Sequence, residues 1–592
     1  MHLVDQLKKA ASEALFSLYQ VSVPPSAILV NATKPEFEGN YTVVLFAFVK
    51  ELKLSPDALG EALGNHLVNT HPHLFTAHNT IKGFLNITIS DAFWHGFIHN
   101  ESAGQTMATA SGKTVMVEYS SPNTNKPLHL GHLRNNFLGW SIAAILEAAG
   151  NKVVKTCIVN DRGIHICKSM IAWQMFANGA TPSSTGKKGD HVVGDYYVKF
   201  NDAYKAEIAN LVAGGMTSEL AEKEAPIMKA TQKMLLDWEA GDPAVLELWR
   251  NMNGWVYEGF DVTYKSIGSD FDKTYYESET YLLGKDLVEY GLTKNVFYKK
   301  EDGSVWIDLT TDGLDEKLVQ RKDGTSVYIT QDIGLAQTKQ KEFNADQSIY
   351  VVGDEQNYHF KVLKLICQKL ELPSADGIYH LSYGMVELPT GKMKSREGTV
   401  VDADDLVAAM IDIAKQKTEE LGKVKDFTEQ ELETLYHTIG LGALKFFLLR
   451  VDPKKKMIFN PEESIDFHGF TGPFIQYTHA RIKSILRKAN AQDTAISSQP
   501  STPLLPLEKE VTIQLEQFNS MLEDAAAAFD PSKVAIFIFN LAKTFNALYA
   551  EHSITNAETE EKKILRLQLA SLTAQTLKKG MAVLGIPVPE RM

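Results

Sequence analysis

The order of apolar and polar positions divides the chain into stretches of different period. VMVEY, from Val115 to Tyr119, is a short apolar run of the kind a parallel sheet buries on both faces, and KVVKTCIV, from Lys152 to Val159, is a second. Between them, the residues from His132 to Ala149 have helical spacing and stop at Gly150. Strand, crossover helix and strand predict the βαβ unit of a doubly wound parallel sheet. SVYIT (326–330) and SIYVVG (348–353) read as further strands, followed by a helix through HFKVLKLICQKL and a strand in IYHLSYGMVEL. The intervening stretch, about 168–325, reads as a largely helical insertion rich in Ala, Glu, Lys and Met.

The two ends follow other patterns. The amphipathic start MHLVDQLKKAASEALFSLYQ leads into strand-like ILVNAT and into LNITIS, where Leu85, Ile87 and Ile89 alternate with polar residues. An N-terminal α+β domain over 1–110 is expected, closed by the linker-like NESAGQTMATASGK. Beyond Pro453, TGPFIQYTHARIKSILRKA and three further amphipathic stretches predict an all-α bundle over 456–592. The expected fold class is therefore α/β: a Rossmann-type parallel sheet over 111–455, flanked by the small α+β domain and the helical bundle.

Composition narrows the classes. With 44% hydrophobic and 22% charged residues in 592, the chain is an ordinary globular one rather than a disordered or coiled-coil one. The three cysteines, Cys157, Cys167 and Cys367, form no CxxC, so neither a disulfide framework nor a structural zinc is expected, and a reducing compartment is. No apolar run is long enough to span a bilayer, and Asp5, Lys8, Lys9 and Glu13 interrupt the N-terminus, which is not a signal peptide. The net charge of −13 argues against non-specific coating of nucleic acid. Acidic and basic residues nearly balance after Lys456, however, so the acidity belongs to the earlier residues.

Two segments carry candidate chemistry. His129 and His132 in HLGH lie where the first strand's loop meets its helix, and a helix N-terminus with exposed N–H groups favours a phosphate. Gly131 permits close approach, and two imidazoles at i and i+3 share a face. Metal binding would need a third ligand that the neighbourhood does not offer. GKMKSREG (391–398) sets Lys392, Lys394 and Arg396 between two glycines, a composition suited to clamping polyphosphate.

With these in order along the chain, the sequence resembles the class I aminoacyl-tRNA synthetases, with HLGH as their HIGH signature and KMKSR as a degenerate KMSKS. The finer resemblance is to the arginyl-tRNA synthetase family. It is carried by VEYSSPNTNKPLHLGHLRNNFLG, VNDRGIHICKSM, VYITQDIGLA, VVGDEQNYHF, KMKSREGTVVDADDL, FTGPFIQYTHARIK and LGIPVPERM, and N-terminally by IKGFLNITISDAFW. The resemblance implies an arginine pocket of Glu118, Asn123, Tyr328, Asp332 and Gln356, and an ATP site of His129, Gly131, His132, Gly353 and Met393. It implies catalytic roles for His129, His132, Lys392 and Lys394. KMKSR lacks the family's second lysine; the family often carries a compensating lysine just before the HIGH signature, and the resemblance implies Lys126 for that place. His165 and Gln331 stand where the family commonly has glutamine and arginine.

The implied activity is that of an arginine–tRNA ligase using ATP with Mg2+: arginine is activated as its adenylate and passed to the 3′ end of tRNA(Arg). The implied enzyme is cytoplasmic and monomeric. Chemistry agrees with the pocket, because a guanidinium has five donors and no acceptor and calls for carboxylates. For the tRNA, Arg481, Arg487 and Lys488 form a basic stripe with Ser484, and FNALY offers Phe545, Asn546 and Tyr549 for unstacked bases. The resemblance to a DALR-type anticodon-binding domain adds Met592. Another HxGH nucleotidyltransferase would leave the helical bundle idle, and a non-catalytic RNA-binding relative would not need the retained histidines and pocket.

Overall fold

Five parallel strands form the centre of the molecule in a computed structural model that describes residues 3–34, 36–102, 111–373, 375–387, 389, 401–422, 426–491 and 502–592, the side chain of Leu421 excepted. Their order across the sheet is Ile378–Tyr383, Gln347–Gly353, Thr114–Glu118, Lys152–Val159 and Lys273–Tyr276, and every neighbouring pair is parallel. The chain winds outward in both directions from Thr114–Glu118. A crevice therefore opens beyond the carboxyl ends of the strands where the winding reverses, the usual ligand position in such sheets.

Burial explains why these segments are strands. Val115, Met116 and Val117 are all buried, as are Ile349, Tyr350 and Val351, so the runs are apolar throughout rather than alternating. The crossover helix Leu130–Ala148 is also buried on most of its surface. One side lies on the sheet, and on the other Ser141 Oγ donates to the carbonyl of Val583 in the C-terminal bundle (2.8 Å).

Two expectations are corrected here. SVYIT is not a strand: the helix Tyr328–Phe343 begins within it. Its β-branched residues favour a strand locally, but Thr330 Oγ1 accepts from Val327 N–H (3.3 Å) and donates to the carbonyl of Val319, which closes the first turn instead. The stretch 168–325 is not one insertion either, because Lys273–Tyr276 returns to the sheet as its edge strand, pairing Cys157 with Thr274. Four residues are too few for a period to register in sequence. The helical excursion, including Gly189–Ala213 and Pro243–Ile267, precedes this strand. A three-stranded antiparallel sheet of Tyr298–Lys299, Val305–Ile307 and Lys317–Gln320 follows it.

The N-terminal residues build a four-stranded antiparallel sheet in the order Val30–Ala32, Tyr41–Val44, Phe84–Ile89, Phe75–Ile81. Its own core includes Leu7, Leu15, Tyr41, Leu63, Phe75 and Ile87. It docks on the bundle through Tyr41 Oη, which donates to Glu516 Oε2 (3.0 Å), and through the Lys509–Asp91 ion pair (3.3 Å). The bundle packs Gly472–Lys488, Pro506–Ala528, Pro531–Glu551 and Glu560–Val583. The last residues run back along the first of these helices, where Gln476 donates to the carbonyl of Pro587 (2.9 Å) and Arg487 to that of Glu590 (3.0 Å).

Candidate active site

HLGH forms the turn from loop into helix, with His129 as N-cap. Gly131 N–H donates to His129 Nδ1, and His129 N–H donates to His132 Nδ1, each at 3.1 Å. The rings lie 3.9 Å apart, centre to centre. Burial, followed by the charge of Lys126, lowers His129 to about 4; burial, His129 and Lys126 hold His132 well below its ordinary value. Both imidazoles are neutral at pH 7. Since each Nδ1 accepts a backbone proton, each ring carries its own proton on Nε2, and the turn presents two ring N–H donors.

The segment before it is held in a strained conformation. Ser120 has φ 62°, unusual for a residue with a side chain. Its N–H donates to Asn135 Oδ1 (2.6 Å), its hydroxyl pairs with Tyr264 Oη (2.7 Å), and its carbonyl accepts from Cys157 Sγ (2.9 Å). Asn123 follows, bridged to Asn160 at the tip of the neighbouring strand.

Asn123 lines a cleft of about 970 Å³, together with, among others, Arg162, His165, Glu277, Tyr328 and Asp332. Tyr328 is 74% exposed at the start of its helix. Asp332 Oδ2 accepts from His359 Nε2 (2.7 Å). Glu277 follows the edge strand, on a turn pinned by the buried Asp161, which accepts from Ser278 N–H (2.8 Å), Ser278 Oγ (2.6 Å) and Tyr257 Oη (2.8 Å). Burial lifts the Glu277 carboxyl to about 7; Arg162 pulls it down, while Asp161 and Asp332 push it up. Arg162 stacks on Tyr281, 3.9 Å from the ring centre, and pairs with Glu239 (3.1 Å). The acidic side of the cleft is thus an arrangement that an added cation would relieve.

In the bundle, Arg481 donates to Asn546 Oδ1 (2.7 Å) and lies over Tyr477 (4.8 Å) and Tyr549 (5.8 Å). Tyr549 is 41% exposed, whereas Phe545 is fully buried and belongs to the core, not to a base-stacking surface. Lys488 is exposed, and Met592 packs partly buried against the bundle.

A family model described as "tRNA synthetases class I (R), catalytic domain" matches residues 97–460, and one described as "DALR anticodon binding domain" matches 475–592. An arginine–tRNA ligase of Amoebophilus asiaticus is 51% identical over 99% of both chains, and one of Bacteroides thetaiotaomicron is 52% identical over all of both. The chain belongs to the arginyl class I tRNA synthetases. The fold of the Thermus thermophilus arginyl-tRNA synthetase superposes with a TM-score of 0.78 at 24% identity, covering 99% of each chain.

Within that family frame, the structure gathers only part of the pocket expected from sequence. Asn123, Tyr328 and Asp332 line one cleft, together with His165 and Gln331. Glu118 departs from the expectation of an open acceptor. It is buried, and its Oε2 accepts from Lys339 Nζ and from Thr156 Oγ1 (3.3 Å). Gln356 is exposed outside the cleft lining. Gly353 ends its strand, where a Cβ would lie 2.5 Å from Glu355 Oε2, the tip of an exposed side chain. Lys392, Met393 and Lys394 lie outside the described residues. Chain reading missed Glu277, for which the only sequence signal is an acidic ESET just after an aromatic pair.

Proposed function

We propose that the cleft of this arginine–tRNA ligase selects arginine by its guanidinium. The observation that carries this reading is the pair of carboxylates, Asp332 and Glu277, on one cleft at the carboxyl ends of the sheet, lined also by Asn123 from the loop that leads to HLGH. Asn123 and Tyr328 complete the arginine site, Asn123 at the strand-loop end and Tyr328 along the substrate's stem. Glu118, neutralised by Lys339, supports the floor rather than accepting from the substrate. Lysine, a point charge on a different stem, leaves acceptors unpaired.

In the first step a substrate carboxylate oxygen bonds to the α-phosphorus of ATP as the bond to pyrophosphate breaks. The Nε2–H groups of His129 and His132 donate to phosphate oxygens, Gly131 and Gly353 allow the nucleotide close, and Lys126 adds positive charge. The segment GKMKSREG, with Lys392, Met393 and Lys394, is assigned to the polyphosphate. In the second step a ribose hydroxyl of the terminal adenosine attacks the activated carbonyl and AMP leaves. The protein supplies alignment and charge more than proton transfer. Magnesium enters with ATP. Among the described residues, the one grouping spaced for a divalent ion, His191, Asp402 and Asp404, already has its Asp404 carboxylate paired with the Lys188 ammonium, so no protein ligand is assigned.

Arg481, Arg487, Lys488, Asn546, Tyr549 and Met592 form the proposed anticodon surface, with residues 1–110 reaching the outer corner of tRNA(Arg). The chain works as a monomer in the reducing cytoplasm, in keeping with three buried free thiols. Pyrophosphate exchange with each standard amino acid, with and without tRNA, tests the reading. Exchange with arginine alone, dependent on tRNA, is expected; exchange with another amino acid overturns the pocket.

A further inference from the structure

Next to the HLGH turn, three segments far apart in sequence converge on two carboxylates. Val401 to Ala403 lies antiparallel to Leu128 to Leu130: Leu130 N–H donates to the carbonyl of Val401 (3.3 Å), and Ala403 N–H to that of Leu128 (3.0 Å), with His129 opposite Asp402. Asp402 then caps the helix Ala403–Leu421, accepting from Asp404 N–H (2.8 Å) and Asp405 N–H (3.2 Å). This short pairing makes the backbone that carries His129 continuous with the Asp402–Asp404 turn.

The turn is gripped from the helical excursion. Lys188, the N-cap of Gly189–Ala213, forms an ion pair with Asp404 and donates to Thr263 Oγ1 (2.6 Å), and Thr263 Oγ1 donates to Asp404 Oδ1 (2.9 Å). His191 Nε2 lies 3.3 Å from Asp404 Oδ2 and 3.4 Å from Asp402 Oδ2. Behind them the fully buried Asp190 lies 3.2 Å from Lys188 Nζ. Two glycines permit this approach. A Cβ on Gly259 would lie 2.4 Å from Asp190 Oδ1, and one on Gly189 would lie 2.0 Å from the Trp255 carbonyl oxygen. Against the opposing effect of burial, the bonds from His191, Lys188 and Thr263 hold the Asp404 carboxyl down to about 2. Lys126, His129, Asp195 and His191 share the small cavity, about 160 Å³, that adjoins this knot.

We propose that Lys188 and His191 are positioning residues for adenylate formation: they hold the Asp402–Asp404 turn, and through its pairing with Leu128–Leu130 they hold His129 in register with the nucleotide. The proposal rests on the functional reading above. It assigns the excursion helix a part in the chemistry although neither side chain reaches the arginine cleft.

Single-turnover formation of arginyl-adenylate by the full chain with tRNA present tests it, at saturating ATP and arginine and normalised to titrated active sites. Lys188→Met is expected to lower this rate by about 100-fold, the loss typical of a misplacement near 1 Å. The KM for arginine and the affinity for tRNA should stay at wild-type values, and Lys188→Arg should recover most of the rate. His191→Asn, which keeps a donor, should be faster than His191→Ala. Lys188→Met combined with Asp404→Asn should be no slower than the worse single variant, because both break one chain of contacts. Wild-type rates per active site in Lys188→Met and His191→Ala overturn the proposal, as does a loss seen only as a lower melting temperature and fewer competent sites. A wild-type chain that exchanges no pyrophosphate with arginine overturns the functional reading itself, and this proposal with it.

Discussion

Buried charge is handled in opposite ways in the bundle and in the cleft. In the bundle, Glu508 and Arg566 have no exposed surface, yet each charge is answered: Arg566 Nε meets Glu508 Oε1 (2.9 Å), Lys562 Nζ meets Glu508 Oε2 (2.5 Å), and the remaining guanidinium donors reach Ser553 O (2.7 Å) and Glu558 Oε1 (3.0 Å). In the cleft, Glu277 accepts no hydrogen bond among the described residues, and Asp332 spends one oxygen on His359. A closed network contributes structure, whereas carboxylates left short of partners beside a large cleft contribute affinity for what completes them.

The contrast breaks most visibly in stability. Glu508→Ala strands Arg566 and Lys562, and a loss of about 3–5 kcal/mol is expected in chemical unfolding. The arginine KM of the folded fraction should not change. Asp332→Asn should do the reverse, weakening kcat/KM for arginine by about 2–5 kcal/mol while the melting temperature holds. If both variants lose stability alike, the distinction between closed and open sites fails.

Lys126→Ala should slow single-turnover adenylate formation by about 100-fold, as removal of one charge-stabilising donor does elsewhere, and more than Lys394→Ala does. Equal or reversed losses would show that Lys126 does not stand in for the lysine missing from KMKSR. The smallest effect concerns pH. With the free cleft holding Glu277 near 7, the KM for arginine should fall about tenfold between pH 6 and 8 as the carboxylate forms, and Glu277→Gln should flatten that profile. The sign for stability is opposite. The folded carboxyl binds its proton between 4.5 and about 7 where the unfolded one has lost it, so stability declines as pH rises through that window. Glu277→Gln should therefore raise the melting temperature of the arginine-free enzyme at pH 8.

Much of this was legible along the chain where one segment carries the information. HLGH at a strand-to-helix junction, the apolar strand runs and the helical C-terminus each depend on neighbours a few residues away. What was not legible depends on partners brought from afar. Glu118 looked like an acceptor until Lys339, 221 residues on, took its carboxylate. Tyr328 looked like part of a strand until Thr330 bonded back to Val319. Glu277 reaches the cleft only because a four-residue strand rejoins the sheet, and Lys188 shows its role only beside Asp404.

The central claim is that the cleft recognises a guanidinium through open carboxylates. Pyrophosphate exchange with tRNA present, comparing arginine with citrulline, its neutral analogue, and with lysine, tests this most directly. Arginine should be favoured by about four orders of magnitude in kcat/KM, the discrimination a site built on hydrogen bonds achieves against a substrate that leaves them unmade. Exchange with citrulline or lysine within about tenfold of arginine, a gap of only some 1.4 kcal/mol, would contradict it.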